Sequence, residues 1–233
     1  MSADEKYTTL NEEKIPAVYE AGKKAGQDDM WTDIVIGRDN FESQFAYWQM
    51  EYIRPPIKIT PSVIGGVVEM CRNNPSLKVI ESAHFDFSKL PTGTANNKSY
   101  YYTFYNCSAL ELVEDIGIGT GEPVLMFAYT FGNCSNLHTI EKLTVAETTK
   151  FSNAFNRCSS LTNLTFEGTI GQNGLNLSWS PLTHDSLMST ITALADKSGD
   201  TSTTWSVTLG ADNLAKLTAA EITIAEEKGW GLV

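Results

Sequence analysis

The stretch Tyr102-Thr-Phe-Tyr-Asn-Cys-Ser-Ala-Leu110 returns as Tyr129-Thr-Phe-Gly-Asn-Cys-Ser-Asn-Leu137 and again as Asn153-Ala-Phe-Asn-Arg-Cys-Ser-Ser-Leu161. Superposed, the copies read Phe-x-x-Cys-Ser-x-Leu-x-x-(Val/Ile/Leu). Phe104, Phe131 and Phe155 coincide, as do Cys107, Cys134 and Cys158, then Leu110, Leu137 and Leu161, then Val113, Ile140 and Leu164. The cysteines are 27 residues apart (107 to 134) and then 24 (134 to 158). A weaker copy precedes them at Val68-Glu-Met-Cys71, aligned on its cysteine, with Leu77 and Ile80 following after a three-residue expansion. Recurrence at a period of about 20–50 residues predicts a stack of similar units rather than one globular core.

Phe and Cys three apart, with Leu three further on, fall on one face of a helical or 3₁₀ turn. The Leu-x-x-Ile continuation carries the chain into a short strand. One unit cannot bury its apolar face alone, so Phe is expected to lie on Phe and Cys on Cys in successive units. Cys is small and apolar enough for such a column. The Asn before it and the Ser after it suit backbone groups where the chain bends.

At these residues the chain resembles the BspA-like leucine-rich repeats, over roughly residues 60–170. The resemblance implies an α/β fold: a right-handed leucine-rich-repeat solenoid with a parallel β-sheet on one side and turns or short helices on the other. It also implies a setting, since such repeats occur in bacterial surface proteins, some protists, and structural genes of phages and prophages. The segment Val18-Tyr-Glu-Ala-Gly-Lys-Lys-Ala25 further resembles the leader of repeat proteins encoded in prophage tail regions of Firmicutes. The C-terminal "Leu-Thr…Ser-Leu…Lys-Gly-Trp" pattern resembles their tail.

Three segments are expected. Residues 1–57 form an N-terminal attachment helix and aromatic cap, 58–174 the repeats, and 175–233 strand–helix units and a second cap. Within the first, Pro16 suits a helix start, and Ile15, Val18, Tyr19 and Gly22 form a narrow apolar stripe. So narrow a stripe needs a partner surface, and residues 15–29 are expected to pack on a second subunit or a neighbouring virion protein. Trp31, Phe41, Phe45, Tyr47, Trp48 and Tyr52 are expected to cover the first repeat. Asp33–Gly37 and Ile57–Thr60 read as strands, Ser62–Arg72 as a short helix, Leu77–Ile80 and His84–Leu90 as strands. In the last segment Leu175–Trp179 and Trp205–Gly210 read as strands 32 residues apart at Leu177 and Leu209, continuing the repeat sheet. Pro181–Asp196 reads as a helix capped by Thr183, with Leu187, Ile191 and Leu194 inside. Asn213–Lys228 reads as another, burying Leu214, Leu217, Ile222 and Ala225 and stopped by Gly229.

The formal net charge of −11 opposes nucleic acid or an anionic membrane as partner. Met1–Lys6 opens polar, without the apolar run of a secretory signal, and no stretch approaches the length of a membrane span. The four cysteines lack the close pairing of zinc sites and are expected to be buried free thiols. His84, His138 and His184 lie in different units with no catalytic motif around them. Gly117–Gly121 lacks the βαβ context of a nucleotide loop and reads as a turn. No catalytic, cofactor or metal residues are expected. With Phe, Cys, Leu and Ile committed to the core, the residues between them remain for a ligand: Glu111, Asn136, His138, Thr139, Ser160, Thr162 and Asn163. Tyr100 and Tyr101, in the run Tyr100-Tyr-Tyr-Thr-Phe104, complete the candidate surface. The expected function is binding of a protein or glycan, as a phage or prophage virion component. A bacterial surface adhesin and an intracellular interaction scaffold are the alternatives.

Overall fold

The computed structural model describes residues 34–36 and 57–59 as backbone, and residues 67–80, 100–116 and 127–233 in full. The helix expected within 15–29, the aromatic cap, the 84–90 strand and the glycine run 117–121 lie outside the described residues.

Strands β1 (Ile34–Ile36) and β2 (Ile57–Ile59) pair in parallel, where strands were expected. Further on, the repeats form a four-stranded parallel sheet in the order β3 (Val79–Ile80), β4 (Leu112–Ile116), β5 (Thr139–Val145), β6 (Asn163–Gly168). Ile80 pairs with Val113, Val113 with Ile140, and Ile140 with Leu164, so the last apolar position of every repeat falls in one row. The chain is α/β with parallel strands and few helices.

Opposite the sheet each repeat runs as overlapping turns. The N–H of Thr103 reaches the carbonyl of Tyr100, that of Tyr105 reaches Tyr102, and that of Cys107 reaches Phe104. Tyr102 and Asn106 are left-handed (φ 53° and 61°), and the intervening N–H groups face along the stack. Tyr102, Phe104 and Asn106 donate to Ala128, Thr130 and Gly132 of the next unit at 3.0, 2.9 and 2.8 Å. Tyr129, Phe131 and Asn133 do the same to Ser152, Ala154 and Asn156. Each unit is therefore hydrogen-bonded to its neighbour on both the sheet side and the turn side, which satisfies backbone groups that one unit alone would leave open. Asn is the non-glycine residue that best tolerates φ > 0, which accounts for Asn73, Asn106 and Asn133 recurring there.

These bonds correct the first repeat. Cys71 donates to Thr103 as Phe104 donates to Thr130, so Cys71 takes the Phe position and Asn74 the Cys position. No three-residue expansion exists: Leu77 follows Cys71 at the interval by which Leu110 follows Phe104. The helix expected over 62–72 is also absent from its described part, 67–72, which is turns with Glu69 left-handed.

The core lies between sheet and turns. Phe104, Phe131 and Phe155 are buried and stack at 5.7 and 5.8 Å between ring centroids. Tyr100, Phe127 and Phe151 form a second column at 4.6 and 6.1 Å. The Sγ atoms of Cys107, Cys134 and Cys158 donate to the carbonyls of Cys71, Phe104 and Phe131 at 3.0, 3.0 and 3.1 Å. All four cysteines are free and buried. Burial pushes every thiol pKa up, that of Cys107 to about 12.

The sheet does not continue into the C-terminal part as expected. Helix α1 (His184–Ala193) lies along β6 instead, and its serines take the N–H groups a next strand would bond: Leu164 donates to Ser186 Oγ and Phe166 to Ser189 Oγ, both at 2.9 Å. An open sheet edge is thus covered. Thr183 caps α1 and Leu187, Ile191 and Leu194 are buried, as expected. Beyond it, β7 (Trp205–Val207) and β8 (Trp230–Leu232) form a separate parallel pair. The strand expected at 175–179 is reduced to a bridge from Asn176 to Thr208, although the 32-residue offset is the one expected. The helix expected over 213–228 is two helices, α2 (Ala211–Leu214) and α3 (Ala219–Glu227). Thr218 breaks it: its side chain accepts from Glu221 N while Glu221 accepts from Thr218 N, a capping box that starts a new helix. Gly229, at φ 84°, ends α3.

Candidate binding surfaces

The sheet side carries most of the expected contact residues. The backbone joins Lys78, Glu111, His138 and Thr162 into one column: Glu111 N donates to Lys78 O at 2.8 Å, His138 N to Glu111 O at 2.9 Å, and Thr162 N to His138 O at 3.0 Å. Beside it, Leu112, Thr139 and Asn163 pair in register, and Asn163 Nδ2 lies 3.4 Å from Thr139 Oγ1. Asn136 and Ser160, each two residues beyond its cysteine, occupy equivalent positions. Glu111, Asn136, His138 and Asn163 are exposed; Thr139, Ser160 and Thr162 are half-buried. Further along the sheet, Lys142 bridges Asp115 (3.0 Å) and Glu167 (3.2 Å). Hydrogen bonds to these carboxylates, Asp115 first, hold its pKa above the usual lysine range. In this region β5 carries an extra residue relative to β6, because Ile140 and Leu143 are three apart where Leu164 and Phe166 are two.

Tyr100 does not belong to this surface. It is fully buried and stacked on Phe127, since it holds the first core position of its unit. Tyr101 is half-buried and belongs to the turn side, where an aromatic group went unforeseen. Tyr102 and Tyr129 stack at 4.7 Å and 6°. Tyr101 and Tyr105 meet Tyr102 edge-on at 4.5 and 4.8 Å. The Arg72 guanidinium lies over Tyr102 at 5.1 Å and is held by Glu69 at 2.7 Å. Tyr105 leans over Gly132, where a Cβ would meet its ring at 2.9 Å, and its hydroxyl accepts from Asn133 Nδ2 at 3.0 Å. The signal was in the repeats: Tyr102-Thr-Phe and Tyr129-Thr-Phe carry tyrosine at one position, where the third copy has Asn153.

His138 is exposed on the sheet side, and His184 bonds Glu221 Oε1 at 2.9 Å, tying α1 to α3. Among the described residues no group of three or more His, Cys, Asp or Glu is placed to hold a metal ion, and no helix is long and apolar enough to cross a membrane. Compared with known proteins, the chain matches no family model, no curated protein and no solved structure.

Proposed function

We propose that this chain is a non-enzymatic binding protein, a BspA-like leucine-rich-repeat solenoid carried in a phage or prophage particle as a tail, fibre or baseplate-associated component. The observation that carries the binding reading is the column Glu111–His138–Thr162: backbone bonds between successive units set polar residues side by side along one face. Such a broad face suits a protein or glycan better than a small molecule in a deep pocket. The particle is supported by the resemblance of Val18–Ala25 and of the C-terminal stretch to prophage tail proteins. Residues 15–29 are the proposed attachment to a second subunit or a neighbouring virion protein.

The test has two parts. Mass spectrometry of purified particles from a producing strain should find the chain; its absence from particles and presence on the cell surface would turn the assignment to an adhesin. Replacing His138 and Thr162 together by lysine should leave the fold intact, because neither side chain is in the core, and should abolish attachment. Unchanged attachment would remove the sheet side as the binding face.

A further inference from the structure

We propose that the turn side carries a carbohydrate-binding site built on the open face of Tyr129. The inference rests on the reading of the chain as a binding protein but uses the surface opposite the Glu111–His138–Thr162 column. Two independent features point there. The first is the residue at a left-handed turn position. Tyr102 and Tyr129 have φ of 53° and 54°, a region that bulky side chains rarely occupy; the turn imposes it on the first unit too, at Glu69 (φ 52°), so what sets these two units apart is the aromatic ring placed there. The fold does not demand tyrosine there, since the equivalent residue of the next unit is Asn153, at φ 54°.

The second feature is how the stack ends. Arg72 lies over Tyr102, and Tyr102 over Tyr129. Beyond Tyr129 the column stops: apart from stacked Tyr102 and edge-on Tyr105, no ring or cation lies against Tyr129 among the described residues. The next unit offers Ser152 and Asn153, both exposed, then half-buried Asn156 and exposed Arg157. A ring face thus stands beside a shelf of hydroxyl, amide and guanidinium groups. That pairing matches a sugar ring, whose C–H face packs on an aromatic plane while its hydroxyls exchange hydrogen bonds with amides. Tyr105, braced by Asn133 and seated over Gly132, fixes Tyr129 edge-on at 6.2 Å.

The test is a glycan array of neutral and anionic bacterial polysaccharides, with protein spots included, probed with the full chain and two variants. Tyr129→Asn removes the ring and supplies the residue the next unit already tolerates at that φ. Asn153→Tyr extends the stack and covers the open face. Wild type should bind at least one glycan. Each variant should weaken that binding by about tenfold or more, the loss of one good stacking contact, with an unchanged circular dichroism spectrum. If Tyr129→Asn fails to fold, Asn153→Tyr decides alone. Wild type binding no glycan, binding only protein spots, or binding equally well as both variants overturns the proposal. None of these results bears on the His138 and Thr162 test, so the two readings fail separately.

Discussion

Replacing Asn74 by cysteine should stabilise the protein. In the other units the same position is Cys107, Cys134 and Cys158, each buried with its thiol on a backbone carbonyl. Asn74 is equally buried, and its Nδ2 finds no hydrogen-bond partner. A buried polar group left unsatisfied costs about 1–3 kcal/mol. Its Oδ1 does accept from Ser76 N, at a long 3.3 Å, and losing that bond gives back about 0.5–1 kcal/mol. Cysteine packs as a small hydrophobe and demands little of its surroundings. The balance is a gain of about 1 kcal/mol, which for a chain of this size raises Tm by about 2–4 °C. Thermal unfolding followed by calorimetry, for wild type, Asn74→Cys and Asn74→Ser, measures it. The serine variant keeps a buried donor and should gain less. A cysteine variant with Tm equal to or below wild type would show that Asn74 is not in the cysteine column, or that its amide is satisfied.

The thiols make stability depend on pH in a defined direction. Their folded pKa values lie above the ordinary thiol value of about 8.5, with Cys107 at about 12, so the unfolded chain loses protons first as pH rises. Stability should be fully present below the unfolded value of about 8.5 and fall as pH rises from there toward the folded values, by up to about 1.4 kcal/mol per pH unit for each of the buried thiols. Urea unfolding between pH 7.5 and 10 checks this against the chain with Cys107, Cys134 and Cys158 replaced by alanine, and equal slopes would refute it. Ser186→Ala should cost about 1–3 kcal/mol, because it strands the buried N–H of Leu164 at the sheet edge. A midpoint within error of wild type in the same assay would mean that α1 does not close that edge through its hydroxyls.

The apolar register was legible because burial leaves its mark on every copy: Phe, Leu and Ile recur, and Val113, Ile140 and Leu164 share a row as expected. Cysteine is a poor anchor for the first unit. Cys71 is small enough to sit where the other units have Phe, so aligning cysteine with cysteine shifted the first unit by three residues, and the Leu77 interval was the sounder guide. Seeing that the sheet ends at β6 required knowing that Ser186 and Ser189 face it, and serine in a helix carries no such mark in a sequence. Helix periodicity over 213–228 hid the break at Thr218, although Thr218-x-x-Glu221 spells a capping box. Of the candidate surface, the exposed positions between core residues were readable from the repeat. Tyr102 and Tyr129 carry no such mark, because nothing in an alignment of core positions shows a left-handed backbone.

The distance from the first core residue of a unit to its strand never changes. Thirteen positions separate Val67 from Ile80, Tyr100 from Val113, Phe127 from Ile140 and Phe151 from Leu164. The return from strand to next unit takes 20, 14 and 11 positions (80 to 100, 113 to 127, 140 to 151). The forward half is a ruler, held at both ends by bonds to its neighbours, so one residue gained or lost there misaligns two hydrogen-bonded rows at once. The return has no fixed length. Natural length variation, engineered tags and displayed peptides belong in it, and a library of insertions selected for folding should show a near-empty band of thirteen between permissive windows.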